Sequence, residues 1–281
     1  MERFVIDPKT NTLVKCNHSM MWERLDYLII PHQYKGKQID RIGPHCFDHL
    51  MINLLCIEEG VEYLEDEACE SSHIYNVKLP RGLKIGKRCF AGSQLEDILL
   101  PRSLHIIKEG TFLNCKNLKS IWAQRGLNTI SYDAFNGCKS LKEAHFHILK
   151  NIRDRAFAGC SSLETLDLGY QIKELGSHLF NGCDSLKSLE IQGNFDKLGK
   201  CTFVGADALE SLSLWTHTES LYFPPDGFKN TPRLKEISFR GNFEPIVEKR
   251  CCFPEDIVLR MCYGQKALEV LGYYFDVDIV A

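Results

Sequence analysis

Ile130-Ser131-Tyr132-Asp133-Ala134-Phe135-Asn136-Gly137-Cys138-Lys139-Ser140-Leu141-Lys142-Glu143-Ala144-His145-Phe146 is one copy of a pattern that governs most of the chain. Written Ile-x4-Phe-x2-Cys-x2-Leu-x2-Ile-x-Leu, it recurs with apolar replacements at 107–123, 152–168, 175–191 and 198–214. Taking the aromatic as landmark, units fall at Phe47, Phe90, Phe112, Phe135, Phe157, Phe180, Phe203 and Phe228, with Cys69 standing in once. That makes about nine repeats of 21–25 residues. The units at Phe47, Cys69 and Phe90 are one residue shorter before the leucine, a deletion that belongs in a turn. Leu186-Lys187-Ser188-Leu189-Glu190-Ile191 has the period of two of a strand and is too short for a helix. A unit this small cannot bury its apolar face alone, so neighbours must stack, each giving one strand to a parallel sheet.

The segments Ala134-Phe135-Asn136-Gly137-Cys138, Ala156-Phe157-Ala158-Gly159-Cys160 and Ile98-Leu99-Leu100-Pro101 resemble the leucine-rich repeat family in its BspA-like (treponemal) subtype. The resemblance spans roughly residues 20–262. Departures are Cys46, Cys89, Thr111 and Thr202 at the alanine place and Cys69 at the phenylalanine place, all small or apolar. The form implied is an α/β repeat solenoid: a curved, right-handed coil with a concave parallel β-sheet, mostly β and turns, with little helix. It is expected as one domain over 1–281, with an N-terminal cap at 1–40, repeats at 41–242 and a C-terminal cap at 243–281. Phe4-Val5-Ile6 and Thr12-Leu13-Val14 read as a hairpin, and Ile257-Val258-Leu259 as a last strand. Gln265–Leu271 reads as a short helix stopped by Gly272, and 273–280 as cover for the final rung.

Composition narrows function. Thirty-four basic against 37 acidic residues give a net charge of −3, without the basic footprint of a nucleic-acid binder. No apolar run approaches the roughly 18 residues that cross a bilayer, so no membrane insertion is expected. The opening Met1-Glu2-Arg3-Phe4-Val5-Ile6 lacks a secretory apolar stretch, which points to the cytoplasm if Met1 is the native start. Thirteen cysteines, an odd number without a CxxC pair, fit a reducing compartment. Cys115, Cys138, Cys160 and Cys183 occupy one repeat position, which marks a packed turn. Cys56 is the candidate reactive thiol, with the vicinal Cys251 and Cys252 read as core. Asn17-His18-Ser19 matches a glycosylation triplet of the kind frequent by chance. Gly-rich phosphate loops, HExxH and GxSxG are absent, and no cofactor is expected.

Alternation sends three residues of each strand outward. Those rows contain Trp122 and Trp215, with three rungs between them, and six carboxylates (Glu58, Asp97, Glu143, Asp167, Glu190, Glu236) against Lys78 and Arg240. The expected function is a non-enzymatic scaffold that binds a protein or peptide carrying a basic or polar patch on the concave face, with the oligomeric state left open. Trp122 and Trp215 are its candidate anchors, Asp167 and Glu190 its charged contacts, and His145 a pH-sensitive neighbour. Family resemblance implies an alternative, a microbial surface or secreted adhesin binding host or neighbouring cells. A third reading is a metal-dependent hydrolase on His145, His147, Asp167 and Glu190, weakened because side chains stacked along a ladder run parallel instead of converging.

Overall fold

Successive Leu-x-x-Ile-x-Leu segments leave water by laying their apolar positions on one side of a strand and turning back to repeat it. The computed structural model describes residues 3–17, 24–48, 50–241, 243–247, 253–254, 257–261 and 279–280. In chain order, β1 (Phe4–Asp7) and β2 (Thr12–Cys16) form the expected antiparallel hairpin. Next come β3 (Arg24–Ile30), a small hairpin of β4 (Gln33–Tyr34) and β5 (Lys37–Gln38), and β6 (Arg41–Ile42). Each circuit then supplies an outer strand and a two-residue strand: β7 (Met51–Ile57) and β8 (Tyr63–Leu64), β9 (His73–Lys78) and β10 (Lys84–Ile85), β11 (Asp97–Leu99) and β12 (Ile106–Ile107). The series continues with β13 (Ser120–Trp122) and β14 (Thr129–Ile130), β15 (Glu143–His145) and β16 (Asn151–Ile152), β17 (Thr165–Asp167) and β18 (Glu174–Leu175). It closes with β19 (Ser188–Gly193), β20 (Ser211–Thr216), β21 (Ser220–Phe223), β22 (Glu236–Arg240), β23 (Glu244–Val247), β24 (Val258–Met261) and β25 (Ile279–Val280).

The outer strands form the strand face, but in two parallel sheets, β3-β7-β9-β11-β13-β15-β17 and β19-β20-β22-β24-β25. The short strands line a second wall, as β2-β6-β8-β10 and β12-β14-β16-β18. At the far end β25 pairs in parallel with β24, whereas the expected helix at 265–271 and the stretch 273–278 lie outside the described residues.

The α/β expectation is corrected here: no helix occurs among the described residues. The reason is periodic. Two residues before the landmark aromatic, Arg88, Gly110, Asp133, Arg155, His178, Cys201 and Asp226 all have positive φ, and two residues after it so do Gly92, Asn114, Gly137, Gly159, Gly182, Gly205 and Asn230. A left-handed residue on each side of these landmark phenylalanines stops a right-handed helix from propagating past one turn. The backbone instead bonds to the next unit. Asp133, Phe135 and Gly137 N–H groups donate to Asp154, Ala156 and Ala158 carbonyls at 3.1, 2.8 and 2.8 Å.

Two side-chain columns fill the core behind these turns. The rings of Phe90, Phe112, Phe135, Phe157, Phe180, Phe203 and Phe228 stack with centroids 5.2–6.0 Å apart. Beside them, Cys115, Cys138, Cys160 and Cys183 donate S–H bonds to the carbonyls of Phe90, Phe112, Phe135 and Phe157 at 2.9, 3.0, 3.2 and 3.3 Å. Burial pushes the Cys160 thiol up to about 12 and raises Cys183 as well, so both stay protonated as donors. Threonine is tolerated at the alanine place because its hydroxyl donates backwards, Thr111 to Lys108 O at 2.9 Å and Thr202 to Gly199 O at 2.6 Å.

Candidate functional site

The strand alternation orients most of the outward rows as the sequence suggests, with three exceptions. Pro80 and Pro101 are buried because the chain already turns away from the sheet there, and Ser120 is buried while its hydroxyl donates to Asp97. Trp122, His145 and Asp167 lie in register on β13, β15 and β17. Trp122 is 41% exposed and its ring lies parallel to His145, 5° between planes and 6.3 Å between centroids. His145 Nε2 is also 3.8 Å from Glu143 Oε2, a contact that becomes an ion pair when the imidazole is protonated.

Trp215 is differently placed. It pairs in register with Gln192 and Arg240, one row away from Trp122, and belongs to the second sheet. Its indole N–H donates to His217 Nε2 at 3.2 Å, and the Arg240 guanidinium carbon lies 5.6 Å from its ring centroid. It is half-buried and already engaged, so Trp122 is the more open aromatic surface.

Between the two lies the break in the strand face. Thr165 N–H donates to Lys142 O and Asp167 O accepts from Phe146 N–H, so alternation turns the Leu166 N–H and C=O toward β19. Among the described residues no ladder bond reaches them, and Ser188 and Glu190 on the opposite lip lack theirs as well. The cause is a register slip. Phe157 precedes Phe180 by 23 residues, yet Ile172 bridges Gly193, only 21 residues on. The two surplus residues near Gly169 and Tyr170 leave the ladder, Gly169 at φ +73° bridging Ile148 and Tyr170 standing 59% exposed. Their departure opens a cleft of about 290 Å3 lined by Leu166, Asp167, Leu168, Tyr170, Glu190 and Gln192. Both proposed acids, Asp167 and Glu190, stand on it; Asp167 Oδ1 accepts the Gly169 N–H at 2.9 Å.

The metal reading gains nothing from this geometry. Among the described residues the one set of three donor atoms lying within 4.8 Å of each other is His45, Glu67 and Glu70, so His145, His147, Asp167 and Glu190 do not converge. Even that set is already served by a cation, since Arg88 pairs with Glu70 and lies 3.8 Å from Glu67. Cys56 is half-buried on β7 with Lys78 directly opposite on β9, a basic neighbour at the matching place of the next unit. Cys251 and Cys252 lie outside the described residues, as does most of the Asn17 triplet.

The strand face is also less uniformly acidic than its rows imply. Arg260 Nε pairs with Glu236 at 3.0 Å, and Arg81, Arg102 and Arg125 add positive charge just past the strand ends. Sequence reading missed these three because it stopped at the last strand position. The signal was present in Leu79-Pro80-Arg81-Gly82-Leu83, Leu100-Pro101-Arg102-Ser103-Leu104 and Ala123-Gln124-Arg125-Gly126-Leu127, with arginine at one place in three consecutive units.

Comparison with known proteins agrees with the stacked geometry. The model of the BspA type leucine rich repeat region matches residues 40–148 and 146–256, in six copies. The chain belongs to this family. Its BspA-type repeats align with two solved structures. A leucine-rich repeat protein from Bacteroides ovatus is similar at a TM-score of 0.56 and 17% identity, covering 99% of this chain and 97% of that one. A T. pallidum leucine-rich repeat protein is similar at a TM-score of 0.54 and 22% identity, covering 65% and 86%. At such identities the likeness of this BspA-type chain is one of fold. No curated protein matches its sequence significantly.

Proposed function

We propose that this BspA-type chain is a non-enzymatic scaffold that binds a protein or peptide on its strand face, the concave side of the coil. The observation that carries the reading is the interrupted sheet. A solenoid could close every rung, yet here the ladder opens between Asp167 and Glu190, with His145 one strand and Trp122 two strands in from the break, leaving backbone donors and acceptors bare on both lips. Asp167 and Glu190 favour a partner that offers a basic side chain at the cleft, while the Trp122–His145 pair offers a flat apolar platform. The buried S–H bonds to carbonyls exist only with reduced thiols, which supports a reducing compartment such as the cytoplasm. Display at a cell surface is the competing reading, and protease shaving of intact cells separates the two.

The test is affinity capture from native lysate by the intact chain and by a Trp122→Ala, Trp215→Ala double variant with matching circular dichroism. A protein retained by the first and lost by the second supports the strand face as the site. Equal capture by both places binding elsewhere and refutes it.

A further inference from the structure

Beyond the acid-lined cleft, a second surface of opposite charge lies along the end of the first sheet. Arg81, Arg102 and Arg125 follow the outer strands β9, β11 and β13 at one repeat place, and Leu83, Leu104 and Leu127 two residues later are buried. Each buried leucine fixes the turn so that its arginine points to solvent, and all three arginines are exposed. Among the described residues none of the three guanidinium groups pairs with a carboxylate, in a chain where those of Arg41, Arg88, Arg153, Arg155 and Arg260 all do; the Arg81 backbone N–H donates to Glu59 Oε1 at 3.3 Å. Arg102 is held only by its bond to the neutral Gln124 side chain.

The arginines flank two adjoining clefts. One, of about 220 Å3, lies between Arg81 and Arg102; the other, of about 610 Å3, is lined by Arg102, Arg125 and His147. Gln124 and Leu99 line both, and Leu99 is 57% exposed, with its register neighbour Trp122 at the edge. Each cleft is thus a seat with two cationic walls and an apolar floor, and Arg102 serves both.

We propose that this groove binds an extended acidic peptide, with two carboxylates spaced two residues apart entering the two seats. A guanidinium presents a planar fork that matches a carboxylate; i and i+2 side chains of a strand lie on one side about 6.8 Å apart, and flexible glutamate stems can converge on seats set by arginines on rungs about 4.8 Å apart. Leu99 and Trp122 receive the methylene groups between. A polyphosphate suits the surface less well, because its charge recurs on every unit while the strand face beside the groove carries Asp97 on β11 and Glu143 on β15. The groove shares Trp122 with the strand-face site but no lining residue with the acidic cleft, and the arginine variants below leave Trp122 in place, so their failure leaves the strand-face reading standing.

The test uses the full chain and a rhodamine-labelled peptide, acetyl-Glu-Thr-Glu-Thr-Glu-amide, followed by fluorescence anisotropy at low salt, beside its Gln-Thr-Gln-Thr-Gln counterpart. The acidic peptide binds, salt weakens it, and the glutamine peptide is about tenfold weaker or worse. Arg102→Glu lowers affinity about tenfold, Arg81→Gln and Arg125→Gln each by roughly threefold, and Arg233→Glu, outside the groove, leaves it unchanged. All these side chains are exposed, and circular dichroism checks that each variant folds. Absence of binding, equal binding of the two peptides, an Arg102→Glu variant that binds like the parent, or tighter binding of a single-stranded oligonucleotide overturns the proposal.

Discussion

Phe180→Ala should split the unfolding of this chain into two steps. In a solenoid, stability is the sum of what each unit contributes alone and what it gains from its neighbours. The neighbour contribution is smallest where β17 faces β19, because at least the two ladder bonds that the Leu166 N–H and C=O would make are missing there. At about 0.5–1.5 kcal/mol each, their absence leaves that interface roughly 1–3 kcal/mol weaker than the others. What joins the halves is the second wall, where β16 still pairs with β18, and the turn wall, with Phe157 and Gly159 N–H groups donating to Leu179 and Asn181 carbonyls at 3.2 and 2.7 Å, together with the Phe157–Phe180 ring stack. That stack, at 6.0 Å, is also the widest in the phenylalanine column. Phe180 is fully buried, and truncating such a ring costs about 3–5 kcal/mol. With a urea slope of about 3 kcal/mol per M, the midpoint of the affected half falls by roughly 1–1.7 M. Trp122 reports the first sheet and Trp215 the second, so two single-tryptophan backgrounds made by Trp→Phe replacement follow each half by fluorescence. Phe112→Ala, equally buried but inside the first block between rings 5.6 and 5.3 Å away, is the comparison. The two reporters should separate more in Phe180→Ala than in Phe112→Ala. Coincident transitions in Phe180→Ala with separated ones in Phe112→Ala would refute the weak junction.

Three further outcomes follow from contacts already described or adjacent to them. Gly193→Ala places a Cβ against the carbonyl of Ile172 and should cost about 1–3 kcal/mol or more in urea melts, whereas Gly82→Ala, which meets nothing within 4 Å, should stay close to the parent. The bidentate Arg155 guanidinium, at 2.8 and 2.7 Å, holds the Asp133 carboxyl below its usual value, so ionised Asp133 stabilises the fold above the ordinary carboxylate value of about 3.9 and that gain disappears as pH falls through the lowered value. Asp133→Asn, which suits the positive φ of 54° there, should therefore be less stable than the parent at pH 7 but equal to it in strong acid, as read from melts at both pH values. Ellman's reagent on the native chain should label Cys56 and Cys201 among the described cysteines and spare the buried column until denaturant is added; rapid native labelling of Cys138 or Cys160, mapped by mass spectrometry, would contradict the packing.

The column residues were legible in the sequence because burial at fixed intervals is a pattern of type: Phe135, Cys138, Leu141 and Ala144 repeat as apolar or small, and each is buried where the period places it. The turn geometry was legible only in part. Glycine announces positive φ at Gly137 and Gly182, but two residues before the aromatic the same conformation is carried by Asp133, Arg155, His178 and Cys201, side chains that give no such notice. Hence helix was left in the expectation and turns took its place. The break at β17 was hidden because the unit from Phe157 to Phe180 has an unremarkable length; the slip comes from which backbone atoms meet, Ile172 with Gly193, and not from residue count. Among the candidate site residues, Trp122, His145 and Asp167 share a row because side-chain period and repeat length coincide there, while Trp215 falls in another row and packs with Arg240.

The left-handed turns give the wall opposite the strand face a direction. Their N–H groups donate from each unit to the one that follows, as Gly110 to Tyr132, Phe112 to Ala134 and Asn114 to Asn136. Peptide dipoles on this wall therefore add, whereas in the strands they alternate and cancel. By analogy with a helix, negative charge is favoured where the donors end and positive charge where the acceptors begin. The two ends of the wall are chemically unlike, so molecules abutting end to end could match donors with acceptors only head to tail. A head-to-head pair would set like poles against each other, and an array grown along this axis would be open and polar, with no two-fold axis at its joints.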